Sequence, residues 1–254
     1  MKSCKLIAIV LFAGLVALGV GYPLSGASSS PLDPGQEATE EPIEPVILHY
    51  LGRSSFFFTA PDGTRVVIDP FSGMTYPFPE GIEVDVVTVS HTNHLDHNNV
   101  GAVEGDPIVI DELQEEPEQF GMVEISSYLI DHPGGGDNLV FVFQIGEVKL
   151  VHLGDTDPIS DPEVLDAIED ADVLLAPEWV IVPMMDEIDM HTVIPMHYSF
   201  EDVPDNQTPL DDFLAILPPD MTVIKDVAEL EVTPEMPIQV VTLQRWPLEE
   251  DDSQ

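Results

Sequence analysis

The sequence predicts a mixed α/β (α+β) fold in which two β-sheets are layered against helices. Three observations lead there. Short apolar runs separated by turn residues crowd the stretch 46–68 and read as hairpins. Beyond Lys149, apolar strands alternate with helical patterns, as in sheets covered by helices. Of the 254 residues, 44% are hydrophobic, which supports a sizeable core.

Residues 46–51 and 54–59 predict two strands about a turn at Gly52, and Pro61-Asp62-Gly63 turns the chain into a third strand at 65–68. The run 84–90 is short and mostly apolar, consistent with a buried strand. Further strands are expected at 123–129, 139–145, 149–153 and 173–176. Asp161-Pro162-Glu163 opens a helix, with proline near the first helical position and acids at the positive end of the dipole. Val164, Leu165, Ile168 and Ala171 supply its apolar stripe. A second helix is expected over 210–217, with closing strands near 222–224 and 239–243.

The ends differ from this core. Residues 1–26 read as a signal peptide or N-terminal anchor: Lys2 and Lys5 precede an apolar run over 6–20, and Gly26-Ala27-Ser28 offers a cleavage site. Residues 27–45, rich in Ser, Pro and Glu, predict a linker. The folded domain is expected over 46–247, followed by an acidic tail at 248–254. An extracytoplasmic protein follows, secreted or tethered to the cell surface, with membrane contact only through the N-terminal anchor.

Charge narrows the partners. The chain has 7 Lys and Arg against 48 Asp and Glu, a formal net charge of −41. Phosphate backbones are gripped by Lys and Arg, so nucleic acid is not an expected partner. The imbalance predicts a high-salt solvent, in which counterions screen the self-repulsion. Cys4, the one cysteine, excludes an internal disulfide framework and a Cys-rich zinc site.

The histidines carry the chemical signal. Three of the 8 fall within His91-Thr92-Asn93-His94-Leu95-Asp96-His97, directly after the strand predicted at 84–90. His132, Asp155 and His197 each follow an apolar run of their own. Imidazole and carboxylate donors together suit Zn, Mn or Fe, and no thiolate is present to select a softer site. Together these residues supply ligands for two metal ions.

On those residues the chain resembles the metallo-β-lactamase fold superfamily, closest to its ascorbate-phosphate-lactonase-like branch of metal-dependent hydrolases. The matching pieces are Tyr50-Leu51-Gly52-Arg53-Ser54-Ser55-Phe56, Ile68-Asp69-Pro70-Phe71, Ser90-His91 through Asp96-His97-Asn98-Asn99, His132, His152-Leu153-Gly154-Asp155 and Pro195-Met196-His197-Tyr198. The resemblance implies a four-layer αβ/βα sandwich with a binuclear site at one edge. It implies that His91, His94 and His132 hold one divalent ion and that Asp96, His97 and His197 hold the other. Asp155 would bridge them, and Asp96 would also orient the nucleophile. Two ions, with zinc favoured and Mn or Fe as alternatives, lower the pKa of a trapped water towards about 7.

Four departures qualify the match. The family signature His-x-His-x-Asp-His carries an extra residue here, so either a bulge brings His91 into the site or Thr92 takes the first ligand position. Arg53 stands where the family has a histidine. The interval from Pro177 to Pro195 looks shorter than the relatives' helix-bearing connection, and the glycine-rich stretch after His132 is trimmed. With so few basic residues available to clamp an anion, the expected substrate is a small neutral or apolar ester, lactone or amide. A non-catalytic metal-binding or interaction protein on a decayed hydrolase fold is the alternative. His49 and His152 are expected to pack in the core or behind the site, His191 to lie near the pocket or on the surface, and Trp179, Met184 and Met185 to be core or an apolar pocket wall.

Overall fold

A computed structural model describes residues 44–73, 76–132, 136–185, 187–200 and 207–246. The expected signal or anchor, nearly all of the linker and the acidic tail lie outside the described residues. No described helix is long and apolar enough to cross a membrane.

In chain order the strands are β1 (Val46–Gly52), β2 (Ser55–Thr59), β3 (Arg65–Ile68), β4 (Val86–Thr88), β5 (Ile108–Ile110), β6 (Glu118–Phe120), β7 (Val123–Asp131), β8 (Asp137–Ile145) and β9 (Val148–His152). Helix α1 (Pro162–Ile168) follows, then β10 (Ala171–Pro177), α2 (Glu178–Met184), β11 (Met190–Met196), α3 (Leu210–Ile216), β12 (Val223–Val227), β13 (Leu230–Val232) and β14 (Gln239–Leu243). They build a six-stranded sheet in the order β13-β1-β2-β3-β4-β5 and an eight-stranded sheet in the order β12-β14-β11-β10-β9-β8-β7-β6.

The core lies between the sheets because side chains alternate along each strand. Phe141 and Phe143 of β8 point at Leu48, Phe56, Phe58 and Ile68 of the six-stranded sheet. Val140 and Val142, one position along, face the other way, onto α1 (Val164, Ile168), α2 (Val180, Ile181) and α3 (Phe213). The outer face of the six-stranded sheet is covered by Phe71, Tyr76, Phe78 and Ile82 from the β3–β4 connection and by Val100 and Ala102 of a 3-10 turn. The result is the sandwich expected of the sequence, with one outer layer helical and the other mostly irregular.

Local differences from the expectation have physical causes. α1 is capped by Asp161, whose side chain accepts from the Glu163 N–H, but it ends at Ile168, and Ala171 starts β10 instead of extending the helical stripe. β5, β6 and β13 have three residues each, too few for a periodic signal. The interval after Pro177 does contain a helix, α2, whose internal Pro183 disguises it.

The parallel pairs β3–β4, β9–β10 and β10–β11 run their C-terminal ends to one edge. Ligand-binding residues in such sheets collect beyond the carboxyl ends of the strands.

Candidate metal centre

That edge carries most of the chemistry. Ser90 and His91 follow β4, His132 follows β7, Asp155 lies beyond β9, Glu178 and Trp179 follow β10, and His197 follows β11. Their rings form a connected group: His91 lies 5.8 Å from His94, 4.9 Å from His132 and 5.1 Å from His97 by ring centroids, and His97 lies 5.3 Å from His197. One donor atom from each of His97, Asp155 and His197 falls within 4.8 Å of the others. Asp96 is not part of that trio; Arg53 Nη1 donates to its Oδ2 at 2.9 Å.

The extra residue in the His91–His97 segment is taken up by a turn at Thr92-Asn93 rather than by a bulge in a strand. The turn leaves Thr92 exposed and buries His91. Asn98 Nδ2 donates to the Thr92 carbonyl at 2.9 Å, and the His97 and Asn98 N–H groups donate to the His94 carbonyl at 3.0 and 3.1 Å. Asn99 pins the segment to the exit of β3 through Nδ2 to the Phe71 carbonyl at 3.0 Å. Between the two residues that compete for the first ligand position, the fold therefore turns His91 inward.

Behind the rings stands a layer that orients them. Asp69, wholly buried, accepts from Ser90 N–H at 2.7 Å, Ser90 Oγ at 2.6 Å and His97 Nδ1 at 2.7 Å. With Nδ1 so occupied, His97 turns Nε2 to the site, 4.0 Å from Asp155 Oδ2. Ser54 Oγ lies 2.9 Å from the same Nδ1. His152 Nε2 donates to the Ser54 carbonyl at 2.8 Å, and His152 Nδ1 accepts from Gly154 N–H at 3.2 Å, so His152 supports two loops at once. Asn138 holds the Asp155 turn from both sides: Nδ2 donates to the Leu153 carbonyl at 2.8 Å, and Oδ1 accepts from Asp155 N–H at 3.0 Å. Gly154 sits in this turn at φ +67°, a conformation that glycine adopts freely. Arg53, Asp69 and His197 hold left-handed backbones without being glycine, and such strain gathers at functional sites. The His197 N–H donates to the Arg53 carbonyl at 3.0 Å, which fixes the last of them.

Burial sets the charges. It pushes His197 down to about 3 and, with the neighbouring His97, His91 down to about 4, so both rings are neutral at pH 7. His97 is also penalised by burial, but the Asp69 carboxylate outweighs this and raises it. Asp69 is the mirror case: burial alone would raise it, and His97 and Ser90 together draw it down to about 2. His91 Nδ1 and Nε2, His132 Nδ1 and His197 Nε2 are buried with no hydrogen-bond partner. Buried imidazole nitrogens without partners, gathered around a carboxylate, suit a divalent cation.

A cleft of about 350 Å³ opens onto this group, lined by His94, Asp96, His97, Asp155, Glu178, Trp179, His197, Gln207 and Thr208. Sequence reasoning assigned no role to Glu178, Gln207 or Asn138, which lie outside the clustered motif. Asp69 stood in a matching piece, yet only its depth in the fold shows its work on His97. Trp179 is cleft wall, with Nε1 donating to the Thr156 carbonyl at 2.9 Å, whereas Met184 is core. His49 packs between Phe57 and Trp246, and His191 lies by Asp172, away from the cleft.

A family model described as a beta-lactamase superfamily domain matches residues 47–197, the span that carries every histidine of the site. The chain belongs to the metallo-β-lactamase superfamily. Within that superfamily, a UPF0173 metal-dependent hydrolase from Salinibacter ruber is 29% identical over 206 residues, covering 65% of this chain and 89% of that protein. A Thermotoga maritima structure, assigned as a Zn-dependent hydrolase of the superfamily, is 29% identical with a TM-score of 0.63, covering 78% of this chain and 100% of that one. A metallo hydrolase from Ignicoccus hospitalis shares the fold at 17% identity and a TM-score of 0.51, over 66% of this chain and 88% of that one.

Proposed function

We propose that this metal-dependent hydrolase of the metallo-β-lactamase superfamily holds two divalent ions, zinc foremost, and opens a carbonyl-centred bond in a small neutral or apolar ester, lactone or amide. The observation that supports this reading is the set of partnerless buried nitrogens on His91, His132 and His197, gathered with His97 around Asp155. His91, His94 and His132 would hold one ion, and His97 and His197 the other, with Asp155 between them. Bound there, the ions would supply a water of lowered pKa and a Lewis acid for the substrate oxygen.

The chain's own residues do the rest. Asp69 and Ser54 hold His97 in one orientation, and Asn138 presents Asp155. The Arg53 carbonyl fixes the His197 backbone. Trp179 offers the cleft an apolar ring beside His197, at 5.7 Å between centroids. None of the described residues lining the cleft is Lys or Arg, so no basic side chain is on hand there to clamp an anionic group of the substrate. The apolar N-terminal run favours action outside the cytoplasm.

Elemental mass spectrometry on protein purified without chelator tests the metal content, and about two ions per chain are expected. Chromogenic esters, lactones and phosphate monoesters then test the bond. Activity on the neutral substrates, lost on Asp155→Ala, is the expected result. No bound ion after reloading with Zn or Mn, or hydrolysis that survives Asp155→Ala, would overturn the proposal.

A further inference from the structure

Arg53 is the residue that departs from the family piece it sits in, and it reaches the site. It occupies the turn after β1 at φ 54°, and its carbonyl accepts from Tyr50 Oη at 2.8 Å and from the His197 N–H at 3.0 Å. Its carbonyl is therefore held from two sides, by the hydroxyl of the core residue Tyr50 and by the backbone of the site residue His197. From that anchor Nη1 donates to Asp96 Oδ2 at 2.9 Å, with side-chain exposures of 12% for Arg53 and 37% for Asp96. A guanidinium keeps its charge at every pH a folded protein meets, and an Arg–carboxylate hydrogen bond is among the stronger ones. Moving Asp96 onto a cation means breaking that bond and leaving a largely buried Arg53 beside a dication.

We propose that Arg53 is a positioning residue that withholds Asp96 from the metal, so that the ion beside Trp179 is held by His97, Asp155 and His197 alone and keeps an open coordination position. This rests on the metal-centre reading above. Two histidines and one carboxylate with a free position are a ligand set of catalytic rather than structural zinc. Charge points the same way. Asp155, shared between two dications, would leave them with net positive charge, and a coordinated Asp96 would lower it further. Paired with Arg53, Asp96 instead adds no net charge to the cleft. An ion held so would be the stronger Lewis acid, and the cleft beside His97, Asp155 and His197 is lined by Glu178, Trp179 and Thr208.

The test is Co(II) titration of the chelator-treated full chain, followed by the visible absorption band, which reports the number and kind of ligands without any substrate. One equivalent of Co(II) on Asp96→Asn is expected to give the wild-type band. Arg53→Ala is expected to change the band towards higher coordination and to tighten binding by about tenfold or more. The double variant Arg53→Ala/Asp96→Asn should return to the wild-type band. A changed band on Asp96→Asn alone would overturn the proposal, because Asp96 would then already be a ligand. A gain that persists in the double variant would also overturn it, since the effect would be simple relief of charge. Should Arg53→Ala fail to fold, the Asp96→Asn spectrum decides by itself. Asp155→Ala separates the two levels of inference: if it leaves the Co(II) band intact, the metal centre itself is wrongly placed, whatever Arg53 does.

Discussion

Asp69→Asn removes one negative charge from the deepest point behind the site and changes almost nothing in volume. The wild-type carboxyl is drawn from 3.8 to about 2, chiefly by His97 working against burial. At about 1.36 kcal/mol per pK unit, this corresponds to roughly 2–3 kcal/mol of stability. The raised value of His97 describes the same interaction and is counted once. A folded domain of this size loses about 2–4 °C per kcal/mol, so Tm should fall by about 5–10 °C. The pH dependence is the sharper signature. Asp69 has a depressed folded value, so its share is full above 3.8 and is lost as pH falls through about 2. His97 has a raised folded value, so its share is full below 6.5 and is lost as pH rises through that raised value. The difference between wild type and Asp69→Asn should therefore peak between about pH 4 and 6.5 and shrink on both sides. Urea unfolding of the chelator-treated protein at about pH 3, 5.5 and 9 measures it. A difference that stays flat across the three, or is largest at the alkaline end, would refute the charged Asp69–His97 pair.

Other changes probe separate parts of the argument. Gly154→Ala places a Cβ against Asn138 Oδ1 and 2.9 Å from Ser90 Cβ at a φ of +67°, so it should cost about 2–4 kcal/mol and loosen Co(II) binding by displacing Asp155. A variant with wild-type Tm and affinity would show that the turn does not present Asp155. His91→Ala should lower metal affinity by at least about tenfold, whereas Thr92→Ala should not. The reverse result would put Thr92 in the first ligand position. Stability should rise with KCl, because 48 acidic residues against 7 basic ones repel one another and counterions screen that repulsion. Unfolding curves that superimpose from low to molar salt would remove the high-salt expectation.

Much of the site was legible in the chain because its chemistry is local. His91, His94, Asp96 and His97 fall within seven residues, and a loop at the end of an apolar strand is where such residues act. The strands β7 to β9 were readable from their apolar runs, and α1 from Asp161-Pro162-Glu163. Three-residue strands such as β5, and a helix with Pro183 inside it, carry too little periodicity to be seen. Asp69, Asn138 and Arg53 were out of reach for a different reason. Their roles depend on partners 28, 17 and 43 positions away, which no local pattern encodes.

The sequence by itself determined which donors are on offer, imidazole and carboxylate with a single cysteine at Cys4, and the acidity of the chain, a formal net charge of −41. Those follow from residue identity alone. Only the tertiary structure decided which donors converge. The parallel strands bring His97, Asp155 and His197 to one edge, the turn at Thr92-Asn93 buries His91 and exposes Thr92, and Arg53 reaches across from β1 to claim Asp96. A ligand set is a matter of distances between residues far apart in the chain, and distances of that kind exist only once the sheets have packed.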